Sequence, residues 1–150
     1  ISSSKKRQQD PPLAICLVSG GLDSCVTAAI AMQSCRPAFL HVNYGQRTEE
    51  RELRAFETIA DHYGVRERLV ADISYLKAIG GSALTDYGIP VPEGSLGEPG
   101  IPITYVPFRN SHILAVATSW RGNRGQIHIY RGYRVRQFWL PGLQKVLFCC

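Results

Sequence analysis

Apolar residues along this chain come either in short unbroken blocks or at every third or fourth position, and the two patterns alternate. Leu13 to Val18 is an apolar block bounded by Pro11-Pro12 and by Ser19-Gly20-Gly21, the signature of a strand buried on both faces. From Ser24 to about Ser34, Val26, Ala29 and Ile30 fall at helical spacing. Pro37 and the run Ala38 to Asn43 then predict a second buried strand. Thr48 to Gly64 is the clearest helix. Thr48 is its expected N-cap, Glu49 and Glu50 suit the positive end of the dipole, Gly64 suits the stop, and Leu53, Phe56, Ile59, Ala60 and Tyr63 form one apolar stripe. Arg66 to Asp72 predicts a third strand around Leu69-Val70-Ala71. Helical spacing resumes from about Arg109 to Trp120, with Ile113, Leu114, Val116 and Ala117.

Strands that alternate with helices imply right-handed crossovers, so the expected fold class is α/β: a Rossmann-like parallel sheet with helices on both faces. Ligands of such sheets bind beyond the carboxyl ends of the strands, and position 19 is at such an end. Between Gly80 and Pro102 the chain is rich in glycine and proline and fits no regular element. A loop of that length inside a compact domain reads as a lid or as disordered. No internal repeat is visible.

With 150 residues, 45% of them hydrophobic, the chain can bury one core. No apolar run approaches the roughly 18 residues of a membrane span and no leader precedes the first strand, so a cytoplasmic protein with no membrane partner is expected. Residues 1–12 read as a loose polar tail. The net charge of +5 is local: residues 121–150 hold six Lys/Arg and no acid, whereas the rest of the chain is nearly balanced. A nucleic-acid surface wants basic residues spread over a folded face, so no nucleic-acid partner is expected. Of the five cysteines, Cys16 lies in the strand run, Cys25 and Cys35 flank the first helix, and Cys149-Cys150 are adjacent. Their spacing fits neither zinc nor a disulfide framework, and Cys16 and Cys35 read as small apolar residues. His41, His62, His112 and His128 have no partner spacing and read as structural or exposed.

The chemistry concentrates at Val18-Ser19-Gly20-Gly21-Leu22-Asp23-Ser24. Two glycines let the backbone turn sharply and approach a ligand, and the amides of the turn and of the next helix point where the dipole favours an anion. Ser19 and Ser24 add hydroxyls. Together these are the parts of a phosphate cradle. It is neither the dinucleotide fingerprint, whose glycine spacing is absent, nor the Walker loop, because no Gly-Lys pair occurs. Without that lysine, a pyrophosphate leaving after attack at the α-phosphate is a more natural guest than a transferring γ-phosphate.

Ser-Gly-Gly-x-Asp-Ser after a first strand resembles the PP-loop ATP pyrophosphatases. Asn43-Tyr44-Gly45-Gln46-Arg47, Gly80-Gly81-Ser82-Ala83-Leu84-Thr85-Asp86, Ile89-Pro90-Val91-Pro92 and Thr104-Tyr105-Val106-Pro107-Phe108-Arg109-Asn110 follow in an order similar to that of the 7-cyano-7-deazaguanine synthase branch. The resemblance covers roughly residues 13–120. It implies an adenine-nucleotide alpha-hydrolase-like fold and an ATP-dependent ligase of queuosine precursor biosynthesis. Its substrates would be 7-carboxy-7-deazaguanine, ammonia and ATP with Mg²⁺, and a homodimer is plausible.

The resemblance puts ATP on Val18 to Ser24, with Asp23 either placing Mg²⁺ or acting as an orienting or capping carboxylate. Arg109 and Asn110 are candidates for ATP or the deazaguanine, or Arg109 is a solvated helix-start residue. Tyr44, Gln46, Arg47 and Tyr105 are further substrate or nucleotide candidates whose roles do not follow from the residues themselves, and no catalytic residue is assigned.

After Trp120 the likeness fails. The family continues with a buried strand, an Ile-Gly-Ala turn, a Ser-Gly-Tyr-Pro-Asp-Cys segment and a four-cysteine zinc site, none of which is spelled here. The second codon bases of Trp139-Leu-Pro-Gly-Leu143 are the first codon bases of Gly, Tyr, Pro, Asp and Cys, as a one-base frame slip requires. The resulting expectations are an out-of-frame, non-native tail at 121–150, a C-terminally incomplete sheet, no zinc ligands and little turnover. Two other readings stand beside the synthase: a PP-loop enzyme that amidates or thiolates a nucleobase or tRNA, and a non-catalytic nucleotide-binding module.

Overall fold

The computed structural model describes residues 10–86, 88–89, 104–121, 127–130, 137–140 and 143–147. The order is β1 (Leu13–Leu17), α1 (Leu22–Ala31), β2 (Arg36–Asn43), α2 (Glu49–His62), β3 (Arg68–Asp72), α3 (Tyr75–Ile79), α4 (Arg109–Arg121), β4 (Ile127–Tyr130), β5 (Gln137–Leu140) and β6 (Leu143–Leu147). Four strands form one parallel sheet in the order β3-β2-β1-β4, while β5 and β6 pair as an antiparallel ribbon. The α/β class expected from the alternation is the one observed.

Strand pleating divides the core into two layers. Ile15 and Leu17 of β1 with Leu40 and Val42 of β2 face Leu76, Val106, Ile113, Ala117 and Ile129. Their neighbours Ala14, Cys16, Val18 and Phe39 face Ala28 and Ala31 of α1 and Phe56 and Ala60 of α2. Burial on both faces is what the unbroken apolar runs require. The stripe predicted on α2 is the one used: Phe56 and Ala60 are fully buried, and Leu53, Ile59 and Tyr63 pack around them.

Several local expectations are corrected. Thr48 makes no capping hydrogen bond; its hydroxyl donates instead to the Glu52 carboxylate, one turn on. Cys25 lies inside α1 rather than beside it, and Cys35 is buried after the helix end. The five-residue α3 was not foreseen. It follows a turn in which the Ser74 N–H donates to Asp72 Oδ1 (2.6 Å), and it seats Leu76 in the core. Part of the glycine-rich loop is packed: Ser82, Ala83 and Thr85 are buried, and 90–103 lie outside the described residues. Three strands fall within 121–150. One of them, β4, pairs with β1 and buries Ile129 completely.

This topology fixes where a ligand can sit. From β1 the chain proceeds outward to β2 and β3, then returns past β1 to β4, so the strand order reverses at β1. The crevice beyond the carboxyl end of β1 is a topological switch point.

Candidate functional site

β1 ends on Leu17, and Val18 extends the ladder by donating its N–H to Leu40 O (2.9 Å). The chain then turns through Ser19-Gly20-Gly21 into α1. Gly20 adopts φ +83°, and a Cβ there would lie 2.6 Å from Ala55 Cβ and 2.9 Å from the Glu52 carbonyl. The first glycine is therefore demanded by helix α2, against which the turn is pressed. Gly21 differs: a Cβ would meet only Ser19 Oγ, at 3.7 Å, so its outward side faces open space.

Gly21 is the extended N-cap of α1 and makes no side-chain cap, which leaves the amides that open the helix without a carboxylate or hydroxyl cap. Asp23 stands exposed in the first turn. The Ser24 hydroxyl donates to the Gly21 carbonyl (2.8 Å), so it braces the turn from within, while Ser19 is exposed.

The turn forms one wall of a cleft of ≈ 430 Å³. Its floor is the end of the sheet, with Leu17, Val18, Leu40, His41 and Val42; Ile113 and Arg109 of α4 close the far side, with Tyr44 and Glu52 beside them. A mixed lining of this kind, apolar at the base with few polar groups at the rim, suits a planar base with an anionic tail. His41 is buried, its Nδ1 2.9 Å from the Val18 carbonyl and its ring tilted against Phe56 at 5.2 Å, so it ties the last turn of the sheet to α2.

Of the residues singled out by sequence, the cleft gathers Val18, Ser19, Gly21, Leu22, Asp23, Ser24, Tyr44 and Arg109. Arg109 is the sole Lys or Arg among the described lining residues. Its guanidinium lies 5.0 Å from the Tyr44 ring centroid, and Nη1 donates to the Tyr44 hydroxyl at 3.2 Å.

The others lie elsewhere. Gln46 is buried behind the cleft; its Oε1 accepts the Tyr44 N–H (2.9 Å) and its Nε2 donates to Glu52 Oε2 (3.1 Å). Arg47 donates to the carbonyls of Asp86 and Ile89, the latter at 2.7 Å, and so pins the glycine-rich loop. The Tyr105 hydroxyl accepts the Phe108 N–H (3.3 Å), and Asn110 is exposed outside the cleft. Sequence reading missed Glu52. It sits one turn from Thr48 among other acids that account for themselves as a helix start, and nothing in the spacing distinguished it.

Mg²⁺ keeps several waters and asks for one or two carboxylates, a demand that Asp23 at the open turn fits. A structural zinc needs four ligands, and among the described residues no group of three or more His, Cys, Asp or Glu is placed to hold a metal. Cys149 and Cys150 lie outside the described residues.

A family model described as queuosine biosynthesis protein QueC matches residues 13–139. The chain is 51% identical over 120 residues to a 7-cyano-7-deazaguanine synthase of Chlorobium phaeobacteroides (strain DSM 266), covering 79% of this chain and 53% of that protein. It is 49% identical over 120 residues to that of Chlorobaculum tepidum, with the same coverage, and 46% identical over 132 residues to that of Koribacter versatilis, covering 85% of this chain and 56% of the relative. The chain spans about half the length of the curated relatives it matches. The strand, glycine turn and helix that build the cleft all fall inside the matched residues, and this chain belongs to the QueC family of queuosine biosynthesis proteins.

Proposed function

We propose that this chain uses ATP to convert 7-carboxy-7-deazaguanine and ammonia into 7-cyano-7-deazaguanine, as the name shared by its relatives suggests. The observation that carries the reading is the Ser19–Ser24 turn opening, at the switch point of the sheet, onto a cleft that holds one cation, Arg109, across from it.

A carboxylate does not accept ammonia at neutral pH because the oxygen is too poor a leaving group. Attack of a carboxylate oxygen on the α-phosphorus of ATP expels pyrophosphate and converts that oxygen into the good leaving group AMP. Ammonia then adds to the acyl carbon and AMP departs, which gives the amide. A second ATP activates the amide oxygen in the same way, and loss of AMP and a proton leaves the nitrile.

In this scheme the backbone of Gly20, Gly21 and Leu22 and the Ser19 hydroxyl hold the pyrophosphate, with the amides at the start of α1 acting as preorganised dipoles, while Val18 and Ser24, whose own donors are taken by Leu40 and Gly21, shape the turn. Asp23 would hold a Mg²⁺ ion, which would supply positive charge to the phosphates. Arg109 meets charge developing on the α-phosphate, and Leu17, Leu40, Val42 and Ile113 take the adenine. Tyr44 lies where either substrate passes, while Gln46, Arg47, Tyr105 and Asn110 support the cleft from outside or contact the deazaguanine at its rim.

A cytoplasmic homodimer is part of the same reading; no helix among the described residues is long and apolar enough to cross a membrane. Residues 13–120 are read as the nucleotide-binding domain and 121–150 as an out-of-frame tail, which the codons of the gene read one base on would spell as the family's Gly-Tyr-Pro-Asp-Cys segment.

Incubating the protein with ATP, Mg²⁺, ammonium and 7-carboxy-7-deazaguanine, and following products by mass spectrometry, tests this. The expected result is AMP and pyrophosphate with the amide and then the nitrile. ATP binding with no AMP formed would replace the enzyme with a nucleotide-binding module.

A further inference from the structure

The contact between Tyr44 and Arg109 joins residues 65 apart in sequence and from different layers of the fold. Arg109 opens α4 immediately after Phe108, whose φ of +50° is the single left-handed non-glycine among the described residues. The chain is thus bent into an uncommon conformation at the residue that aims this side chain. Two contacts then hold the guanidinium: its central carbon lies over the Tyr44 ring at 5.0 Å, and the Tyr44 hydroxyl accepts from Nη1 at 3.2 Å. Of the five N–H donors of the group, Tyr44 takes one.

Tyr44 is itself held. Its N–H donates to Gln46, Gln46 donates to Glu52, and the Glu52 carbonyl is the backbone atom against which Gly20 is pressed. A continuous line of contacts therefore runs from the phosphate turn through α2 to the arginine across the cleft.

We propose that Tyr44 is a positioning residue, which presents the Arg109 guanidinium to the phosphate groups of a nucleotide bound at the Ser19–Ser24 turn. The assignment rests on the nucleotide reading above. It differs from a direct role for Tyr44 in binding the base or the deazaguanine, because its effect passes through Arg109 and reaches only the phosphates.

Titration calorimetry with ATP and, separately, adenosine tests this on the wild-type chain, Tyr44→Phe, Tyr44→Leu, Arg109→Ala and the Tyr44→Leu/Arg109→Ala pair. Loss of a charge-assisted contact predicts that Arg109→Ala weakens ATP about 10- to 100-fold. Tyr44→Leu should weaken it by roughly tenfold and Tyr44→Phe, which keeps the ring, by about threefold. The double variant should bind ATP no more weakly than Arg109→Ala, and adenosine affinity should not move, since residues acting as one unit do not add.

Tyr44→Leu binding ATP like wild type, multiplying losses in the double variant, or an equal loss for adenosine in Tyr44→Phe would each overturn the proposal. Tyr44→Phe keeps the test open should Tyr44→Leu fail to fold. A wild-type chain that binds neither ligand would overturn the nucleotide reading itself, and the positioning role with it.

Discussion

At Gly20, backbone conformation and packing converge on one residue. Any L side chain is strained at φ +83°, and a Cβ would meet both Ala55 and the Glu52 carbonyl inside van der Waals contact. Gly20→Ala must move the phosphate turn away from α2. A loss of about 2–4 kcal/mol is expected, the sum of a left-handed penalty and overpacking, together with loss of ATP binding; urea unfolding and calorimetry read the two separately. Gly21→Ala, with open space around its Cβ, should cost far less stability. Phe108 presents the opposite case. Its side chain is 70% exposed while its backbone is left-handed, so Phe108→Gly gives up little burial and relieves strain, and a gain of about 1 kcal/mol in unfolding free energy is expected. Unchanged or lower stability would mean that the Phe108 ring contributes more than its exposure suggests.

Helix α2 shows what periodicity reveals and what it hides. Its stripe was legible because a long helix on a sheet repeats the same demand over several turns, and Phe56→Ala should cost about 3–5 kcal/mol by emptying a fully buried site. The runs of β1 and β2 were legible for the related reason that parallel strands are covered on both faces. The contacts that α2 makes at its start were not legible: Thr48 has the chemistry of a cap but gives its proton to Glu52, and Gln46 looks like a surface amide but is buried bonding to Tyr44 and Glu52. The five residues of α3 are too few to carry a period. Ser82 and Thr85 are polar yet buried because the loop folds inward beneath Arg47. Two of the candidate-site residues, Tyr44 and Arg109, were named from likeness, but their contact joins positions 65 residues apart and has no local signature. Arg47→Ala should leave the sheet intact and loosen residues 82–89, seen as faster amide exchange there than in β2, because two loop carbonyls lose their donor.

Cys16 and β4 report on the integrity of the whole sheet. Burial, with a smaller contribution from Cys35, pushes the Cys16 thiol from 9.0 up to about 12. The folded state therefore holds this proton more tightly than the unfolded chain does. The resulting stability is complete below pH 9 and falls between there and the folded value, by about 1.4 kcal/mol per pH unit. Cys16→Ala should flatten that decline in urea midpoints taken between pH 8 and 11, and thiol reagents should leave Cys16 untouched in the folded chain. The same core face tests the role of residues beyond α4. Ile129 is fully buried with Ile15, Ile113 and Ala117, and β4 covers the edge of β1 that would otherwise expose unpaired backbone groups. If β4 is integral to the sheet, Ile129→Ala should cost about 2–5 kcal/mol, and a chain ended at Arg121 should melt well below the 150-residue protein or associate through its open edge. If residues 121–150 are instead a foreign tail, both changes should leave the melting temperature where it was. Thermal unfolding of the two variants beside Phe56→Ala, whose site lies on the opposite face of the sheet, separates the two outcomes, because that substitution must destabilise the protein in either case.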